Sequence, residues 1–275
     1  MNMSIETSAA ENLSTCVVTS AETVELPIIL RRMMVRAVEQ ITPVVRRVVV
    51  GGEQFDRFVV DGAEQPGFES PGVDDHVKLF FAGPDGLVLP TQGDGELDWP
   101  EDPRPVARSY TVRAVDHHAK TVTIDMVLHG HGFGARWAAA VTVGDEVHLA
   151  GPKQWTAFPN APWYLLVGDD TALPAIARWL EALAPDAVVR VVIATDHPGE
   201  YPGLVLAGDR TVTWVAPAMR QGEQPLTDAV AALDWPAATP FVWAAGEVGD
   251  VGALRRLLRD QRGLDRASYD LAAYW

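Results

Sequence analysis

Short runs of alternating or β-branched residues, separated by turn residues, dominate the first half of the chain. They cover residues 33–40, 44–50, 76–81, 110–115, 121–128 and 146–150. Period-two alternation and β-branched residues are typical of strands, and helical periodicity is scarce in this half. The pattern therefore predicts a small antiparallel barrel.

The pattern changes after residue 152, where solid apolar runs alternate with helical spacing. The apolar run 163–167 precedes a helix whose first turn accommodates Pro174 and which Asp170 or Thr171 can cap. One face of that helix carries Leu173, Ile176, Ala177, Leu180 and Leu183. Further strands are predicted at 188–194, 211–215 and 241–245, with helices at 226–233 and 251–262. Strands that alternate with helices predict an α/β domain built on a parallel sheet.

Composition and charge narrow the classes of partner. The chain has 22 basic and 37 acidic residues, a net charge of −15 and no basic stripe, which opposes binding to nucleic acid or to an anionic membrane. Its apolar runs are too short to span a bilayer, and residues 1–29, predicted to be a flexible tail, lack the pattern of a secretory signal. The single cysteine, Cys16, allows no intramolecular disulfide, so the expected compartment is the cytoplasm.

The segment Arg108-Ser109-Tyr110-Thr111-Val112-Arg113 has the chemistry to hold a flat, partly anionic ligand. On a strand, the Tyr110 ring can stack, the Thr111 hydroxyl can form a hydrogen bond, and Arg108 can pair with a phosphate. The alternative, an edge strand with solvated arginine and threonine side chains, is favoured when these six residues are taken alone.

Two predicted strand ends in the second half carry small or polar residues, Gly168-Asp169-Asp170-Thr171-Ala172 and Ala245-Gly246-Glu247. Ligands of α/β sheets bind outside the carboxyl ends of the strands, and backbone N–H groups at a helix start attract phosphate or ribose hydroxyls. The carboxylates of Asp169 and Asp170 would repel a phosphate but can accept hydrogen bonds from ribose hydroxyl groups. Simple helix capping is the alternative explanation of the first segment.

The glycine-rich segment His129-Gly130-His131-Gly132-Phe133-Gly134 differs from the dinucleotide fingerprint, but its glycines would let the backbone approach a diphosphate closely. Neither a cysteine partner nor a helical His-x-x-x-His accompanies these histidines, so no metal site is predicted. Walker, nucleophile-elbow and Cys-x-x-Cys motifs are missing, and no catalytic side chain is predicted. Such a chain suits redox chemistry carried out by bound cofactors.

The chain resembles the siderophore-interacting proteins, flavin-dependent ferric-siderophore reductases related to the ferredoxin-reductase superfamily. The resemblance runs from Met33 to Trp275. Besides the arginine-tyrosine segment 108–113, its blocks are Asp75-His76-Val77-Lys78-Leu79-Phe80-Phe81, Asp125-Met126-Val127-Leu128-His129-Gly130, Gly151-Pro152-Lys153, Gly168-Asp169-Asp170-Thr171-Ala172, Trp243-Ala244-Ala245-Gly246-Glu247 and Tyr274-Trp275. These blocks follow one another in the order that two domains require.

The resemblance implies a six-stranded Greek-key β-barrel that binds FAD, residues 30–155, and an α/β domain that binds NADH or NADPH, residues 160–275. The implied FAD contacts are Arg108, Ser109, Tyr110 and Thr111, the strand residues Val127 and His129, and Gly130, Gly134 and Trp137 in an expected loop that runs from Gly130 to Trp137. Asp169, Asp170 and Thr171 are implied to lie between the flavin and the nicotinamide nucleotide, and Gly246 and Glu247 to face the latter; the C-terminal Trp275 is also expected to bind a cofactor. Lys78 and Lys153 are expected to attract the anionic ferric siderophore.

The chain is therefore predicted to be a monomeric cytoplasmic reductase that passes electrons from NAD(P)H through FAD to a ferric siderophore and releases Fe(II). The alternatives are a flavin reductase or an electron-transfer reductase for another acceptor, and a siderophore carrier without catalysis.

Two departures from the family pattern affect the expected site. Gly134 replaces a frequent proline, and Ser268-Tyr269-Asp270-Leu271 lacks a frequent third cation, for which Arg266 or an arginine of the first half of the chain is a candidate substitute. NADH and NADPH both remain open as donors, since Asp196 would repel a 2′-phosphate whereas Arg220 could bind one.

Overall fold

The computed structural model of the chain describes residues 22–128, 132–157, 159–217 and 223–275. The elements before residue 157 are β1 (Thr23–Glu25), β2 (Leu30–Thr42), β3 (Val45–Gly51), β4 (Phe58–Val60), β5 (Ala63–Gln65), β6 (His76–Phe81), β7 (Thr91–Gln92), β8 (Leu97–Asp98), β9 (Val106–Thr111), β10 (Ala114–Asp116), β11 (Thr121–Val127), α1 (Gly132–Ala140), β12 (Glu146–Ala150) and β13 (Gln154–Thr156). The later elements are β14 (Tyr164–Asp169), α2 (Leu173–Ala182), β15 (Val189–Ala194), β16 (Arg210–Val215), α3 (Pro225–Ala232), β17 (Phe241–Gly246), α4 (Val248–Arg256), a π-helical turn (Leu257–Gln261) and β18 (Tyr269–Ala273).

The first half forms a seven-stranded antiparallel sheet in the order β10-β11-β3-β2-β12-β6-β9. Its two end strands, β9 and β10, are separated along the chain by only Val112 and Arg113, so the sheet must curl back on itself. Two register shifts in the β2–β3 pairing, between Val35 and Ala37 and between Gln40 and Thr42, are bulges of the kind that bend long strands. The antiparallel sheet is confirmed with seven strands instead of six, and closure of a Greek-key barrel stays a prediction.

Alternation along β6 shows how this sheet is filled and how it presents charged groups. Val77, Leu79 and Phe81 point into the core and are at most 2% exposed. His76 and Lys78 point to the opposite face and are exposed. The period-two pattern read from the sequence therefore places the lysine outside, next to the strand that carries the arginine-tyrosine segment.

The second half forms a five-stranded parallel sheet in the order β16-β15-β14-β17-β18. Its central strand β14 is apolar on both faces, as expected for a parallel strand covered on both sides. Leu166 packs with α2, which buries Ile176 and Trp179, on one face. Val167 packs with α3 and α4 on the other face. The predicted combination of an antiparallel β domain and an α/β domain is confirmed.

Several local predictions differ from the structure. The glycine-rich segment is not all loop, because Gly132 (φ 80°) precedes helical backbone that continues to Ala140. The cap residue of α2 is Ala172 and not Asp170 or Thr171. Part of the segment expected to be a flexible tail, Thr23–Glu25, pairs with β13. The C-terminal strand β18 was not predicted.

Helices long and apolar enough to cross a bilayer are not found in the part of the chain that the structure describes.

Candidate functional site

The arginine-tyrosine segment forms β9 and its exit, at the end of the curled sheet. β9 pairs with β6, so that Ser109 lies opposite Lys78 and Tyr110 opposite Val77. Arg108 and Ser109 are exposed, and the Tyr110 ring is half-buried with its edge against Phe81, at a centroid distance of 6.3 Å and an interplanar angle of 81°. Burial raises the pKa of Tyr110 to about 12, so its hydroxyl stays neutral at physiological pH. The tyrosine is therefore not sealed in the core.

The start of α1 lies directly against Tyr110. A Cβ atom on Gly134 would lie 1.9 Å from the Tyr110 hydroxyl oxygen, so only glycine permits this approach. Trp137, one turn later in the helix, packs on Phe81 with ring centroids 5.7 Å apart. Gly134, Trp137 and Tyr110, predicted separately from the sequence, are thus brought together around one phenylalanine.

The residues around Tyr110 fit a flavin dinucleotide. The first turn of α1 contains no acidic residue, and a helix N-terminus offers free N–H groups and a positive partial charge to a diphosphate. Arg108 lies two residues before Tyr110 on the same face, and among the described residues its guanidinium donates one hydrogen bond, to the Ala107 carbonyl (2.8 Å). Tyr110 therefore lies between two groups that favour an anion. One is Arg108, which has no carboxylate partner among the described residues, and the other is the start of α1, which carries no acidic residue.

Val127 ends β11, which leads toward α1. His129 and Gly130, also predicted to contact FAD, lie outside the described residues.

The second predicted cluster lies at the carboxyl ends of β14 and β17. Asp169 accepts hydrogen bonds from the Thr171 backbone N (2.8 Å) and hydroxyl (2.5 Å) through Oδ1, and from the Trp275 indole N (3.0 Å) through Oδ2. Gly246 lies so close that a Cβ there would approach Asp169 Oδ2 to 2.8 Å. Glu247 caps α4 by accepting from the backbone N–H groups of residues 249 and 250. Asp169 and its neighbours therefore connect the ends of β14 and β17 with the C-terminal tryptophan.

A small recess adjoins this cluster, between the ends of β14 and β17 and the helices α3 and α4. Its lining includes Gly168, Ala245, Gly246 and Asp250. Asp170 lies nearby on the β14–α2 turn, where burial raises its pKa and a hydrogen bond from the Thr195 hydroxyl opposes the rise. The nucleotide-facing residues predicted from the sequence therefore share one edge of the parallel sheet, and their roles stay predictions.

The two clusters meet through the C-terminal residues. The Tyr274 side chain lies close to the Thr111 side chain, which opposes a rise in the pKa of Tyr274 that is caused by burial of its hydroxyl group, although the residue is 38% exposed overall. The Trp243 indole also crosses between the sheets and donates to Asp74 Oδ2 (3.2 Å). Tyr274 was not predicted as a site residue, although its position beside Trp275 at the end of the chain was a usable signal.

The two predicted siderophore lysines lie on the β9 side of the curled sheet. Lys78 and Lys153 are both exposed. The pKa of His76 is lowered, mainly because its imidazole ring is largely removed from water although the residue as a whole is exposed, and the two lysines lower it further. Arg266, the candidate third cation, instead donates to the Tyr269 carbonyl (2.6 Å) and lies over the Tyr269 ring. The structure thus places two lysines near the arginine-tyrosine strand, whereas the Arg266 side chain contacts Tyr269, three residues later in the chain.

Asp75 is a buried carboxyl at the entrance to β6 and gives a pH-dependent prediction. It is 3% exposed and accepts hydrogen bonds from Gly72 N (2.9 Å) and Ser70 Oγ (3.0 Å). Burial raises its pKa to about 6, and these hydrogen bonds and Arg178 oppose the rise. Because the folded-state pKa lies above the ordinary 3.8, protonated Asp75 favours the fold.

We expect the free energy of unfolding to lose up to about 3 kcal/mol from this group as the pH rises from about 4 to about 6. Asp75→Asn keeps an acceptor for Gly72 and removes this contribution, so its stability should vary less over that range. Urea unfolding of both proteins between about pH 4 and 7 measures it. Asp85→Asn, at an exposed carboxyl, is the control, and equal pH slopes in Asp75→Asn and the unmodified protein would refute the assignment.

The fold defines a class of protein before any closer relative is considered. The flavohemoglobin-like FAD/NAD-binding domain of nitric oxide dioxygenase from Vibrio cholerae superimposes with a TM-score of 0.58 at 16% identity, covering 88% of this chain and 98% of that one. The architecture is therefore the ferredoxin-reductase-like one, an antiparallel β domain followed by an α/β domain.

Family models and closer relatives identify the chain further. The model of the siderophore-interacting FAD-binding domain matches residues 34–156, and that of the siderophore-interacting protein matches residues 161–275. A siderophore utilization protein from T. fusca has a TM-score of 0.79 at 34% identity, covering 93% of this chain and 95% of that one. The NADPH-dependent ferric-chelate reductase of Escherichia coli is 33% identical over 250 residues, 89% of this chain and 92% of the relative. The chain belongs to the siderophore-interacting protein family.

Proposed function

We propose that the chain is a ferric-siderophore reductase driven by NAD(P)H, with FAD held by residues 30–155 and the nicotinamide nucleotide by residues 160–275. The observation that carries the proposal is the convergence on β9. Tyr110 adjoins the start of α1, Arg108 lies two residues earlier on the same strand, and Tyr274 from the C-terminal segment lies close to Thr111. Family membership and the activity of the E. coli relative support the same reaction.

Bound FAD supplies hydride acceptance from NAD(P)H and single-electron delivery to Fe(III), so that one nicotinamide reduces two ferric ions and releases one proton. In this proposal Arg108 and the N-terminus of α1 bind the diphosphate, and Tyr110 offers its ring to the flavin. Asp169, Asp170 and Thr171 orient the nucleotide at the edge of the parallel sheet. Proton transfer by a side chain is not required, which agrees with the neutral Tyr110 hydroxyl.

Single-turnover mixing tests the reaction. The FAD-loaded protein is reduced anaerobically with NADPH or NADH and mixed with a ferric siderophore and a ferrous-ion trap. Reoxidation of the flavin with two trapped Fe(II) per flavin supports the proposal, whereas a protein that binds the siderophore without any flavin would support a carrier. Adding free flavin or an electron-transfer protein as a competing acceptor shows whether the reduced protein passes its electrons to that acceptor in preference to the ferric siderophore.

Lys78 and Lys153 are expected to raise the affinity for an anionic ferric chelate. Each exposed lysine contributes Coulomb attraction, so Lys78→Ala and Lys153→Ala should each raise KM for the chelate by about 3- to 10-fold at low salt, and less at high salt. Steady-state iron reduction at two ionic strengths measures the effect.

Lys120→Ala serves as the matched control for both variants, since Lys120 pairs with Asp56 in a turn of the β domain. The rate of flavin reduction by NAD(P)H should not change in any of the three. A KM that stays constant in both Lys78→Ala and Lys153→Ala would refute their role.

A monomeric cytoplasmic protein is also part of the proposal. The single cysteine at position 16 leaves no intramolecular disulfide, which agrees with a reducing compartment.

A further inference from the structure

A set of polar side chains, three of them buried, connects the curled sheet with the parallel sheet and includes no residue assigned to either cofactor. Its members are Arg47, Arg113 and Asp125 from the first half and Glu181 and Tyr201 from the second half. The Tyr201 hydroxyl donates to Asp125 Oδ2 at 2.6 Å, and Arg47 donates to both carboxylate oxygens of Asp125 at 2.7 and 2.8 Å. Arg113 donates to both carboxylate oxygens of Glu181 at 2.6 and 3.1 Å.

These contacts are largely closed to water. Asp125 is 4% exposed, Tyr201 5% and Arg113 8%. Hydrogen bonds to charged groups are stronger in such surroundings, and geometry is fixed more tightly than by surface ion pairs. Burial and the neighbouring Asp125 carboxylate raise the pKa of Tyr201, so its hydroxyl remains a donor. The hydrogen bond to Asp125 therefore holds the Tyr201 side chain in one position against β11.

Tyr201 belongs to the segment that leaves the nucleotide edge of the parallel sheet. This segment starts at Thr195, directly after β15, and the Thr195 side chain lies close to Asp170 on the neighbouring turn. Gly203, two residues after Tyr201, lies so close to Arg113 that a Cβ there would be 2.8 Å from the guanidinium nitrogen. The segment 195–203 therefore begins at the proposed nucleotide site and ends on the β domain.

The other end of the network leads to the proposed flavin site. Arg113 follows Thr111 by two residues, and Asp125 precedes Val127 by two residues on β11. Tyr201 itself is assigned to neither cofactor. Because the carboxyl ends of parallel strands bind nucleotides, a shift of segment 195–203 would move one wall of that site relative to β9.

We propose that Tyr201 is a positioning residue for hydride transfer: its bond to Asp125 fixes the segment after β15, and a nucleotide bound beside it, relative to the flavin strand. This role rests on the proposed function. It predicts that the half-reaction with the nicotinamide nucleotide depends on Tyr201, since misplacement by about an ångström can cost on the order of 100-fold in rate. The half-reaction with the ferric chelate does not involve this edge and should be independent of Tyr201.

Tyr201→Phe removes only the hydroxyl and is the test variant. Tyr164→Phe is the matched control, because Tyr164 is also 5% exposed and its hydroxyl bonds Pro159 and Ala161 close by along the chain. Stopped-flow absorbance would follow reduction of the FAD-loaded proteins by NADPH and, separately, reoxidation of the photoreduced proteins by ferric citrate. Amide hydrogen exchange of residues 196–204, without any nucleotide, reports the attachment of the segment directly.

In Tyr201→Phe we expect reduction by NADPH to slow by about tenfold or more, exchange of residues 196–204 to accelerate, and reoxidation by ferric citrate to change by less than about twofold. In Tyr164→Phe all three should match the unmodified protein. Faster exchange with an unchanged reduction rate would overturn the positioning role, and so would equal slowing of both half-reactions.

Two further outcomes are separable. If the unmodified FAD-loaded protein is reduced by neither NADPH nor NADH, the proposed function fails and the role of Tyr201 fails with it. If Tyr201→Phe does not fold, Glu181→Gln loosens Arg113, which lies against Gly203 of the same segment, and because the glutamate side chain is 44% accessible this variant should fold. It should then slow NADPH reduction selectively, and an unchanged rate would overturn the proposal.

Discussion

Replacement of Arg108 by alanine is expected to weaken FAD binding by about 100-fold. Arg108 is exposed and, within the described residues, bonds only its own neighbour, the Ala107 carbonyl, so its removal should leave the fold intact. Bidentate pairing of a guanidinium with a phosphate contributes roughly 3 kcal/mol, and a loss of that size corresponds to about two orders of magnitude in Kd. Titration of the apoprotein with FAD, followed by quenching of flavin fluorescence, measures the change.

Arg36→Ala is the control for this variant, because Arg36 is an exposed arginine on β2 and is assigned to no site. It should bind FAD like the unmodified protein, and both variants should have unchanged unfolding midpoints. An unaltered Kd in Arg108→Ala would remove the arginine from the diphosphate site.

Replacement of Gly134 by alanine is expected to weaken FAD binding by about 10- to 100-fold. The new methyl group would lie 1.9 Å from the Tyr110 hydroxyl oxygen, so the tyrosine ring or the start of α1 must move. Overpacking of this kind costs about 1–3 kcal/mol, and the displaced groups are the ones proposed to hold the flavin. The same fluorescence titration, together with visible circular dichroism of the bound flavin, detects the loss.

A second substitution identifies the cause. Tyr110→Phe removes the oxygen that the alanine would meet and leaves the ring carbon Cζ at 3.1 Å. The double variant should therefore recover much of the FAD affinity lost in Gly134→Ala. Gly252→Ala, in α4, is the control, since its nearest atom is 3.7 Å away and it should bind FAD normally. A double variant as weak as Gly134→Ala would show that the hydroxyl contact is not responsible.

The strands were predicted well where one face of a sheet is buried. Along β6 the alternation of Val77 and Leu79 with His76 and Lys78 reports the inward and outward faces directly. The solid apolar run at β14 likewise reports a strand covered on both sides. In both cases the local pattern of apolar residues shows which faces of the strand are buried, so a single sequence is sufficient to predict the strand.

Two elements were missed because their local signals conflict with their structure. Three glycines in the segment 130–134 indicated a loop, yet Gly134 is helical and is required by the approach of Tyr110. β18 is five residues long with a weak alternation, and its place beside β17 is set by long-range pairing.

The network around Tyr201 could not be predicted either. Tyr201 and Asp125 are 76 positions apart, and neither residue type indicates the other. The same holds for Trp243 and Asp74, which are 169 positions apart. Such contacts depend on how two sheets pack, which local periodicity does not report.

A flavin held by β9 and the start of α1 would appear in the absorbance spectrum of the purified protein as it is titrated with FAD. We expect a yellow protein with a flavin spectrum, saturating at one FAD per chain, in which quenched fluorescence reports the ring beside Tyr110. A purified protein without flavin absorbance that also fails to bind added FAD would contradict it.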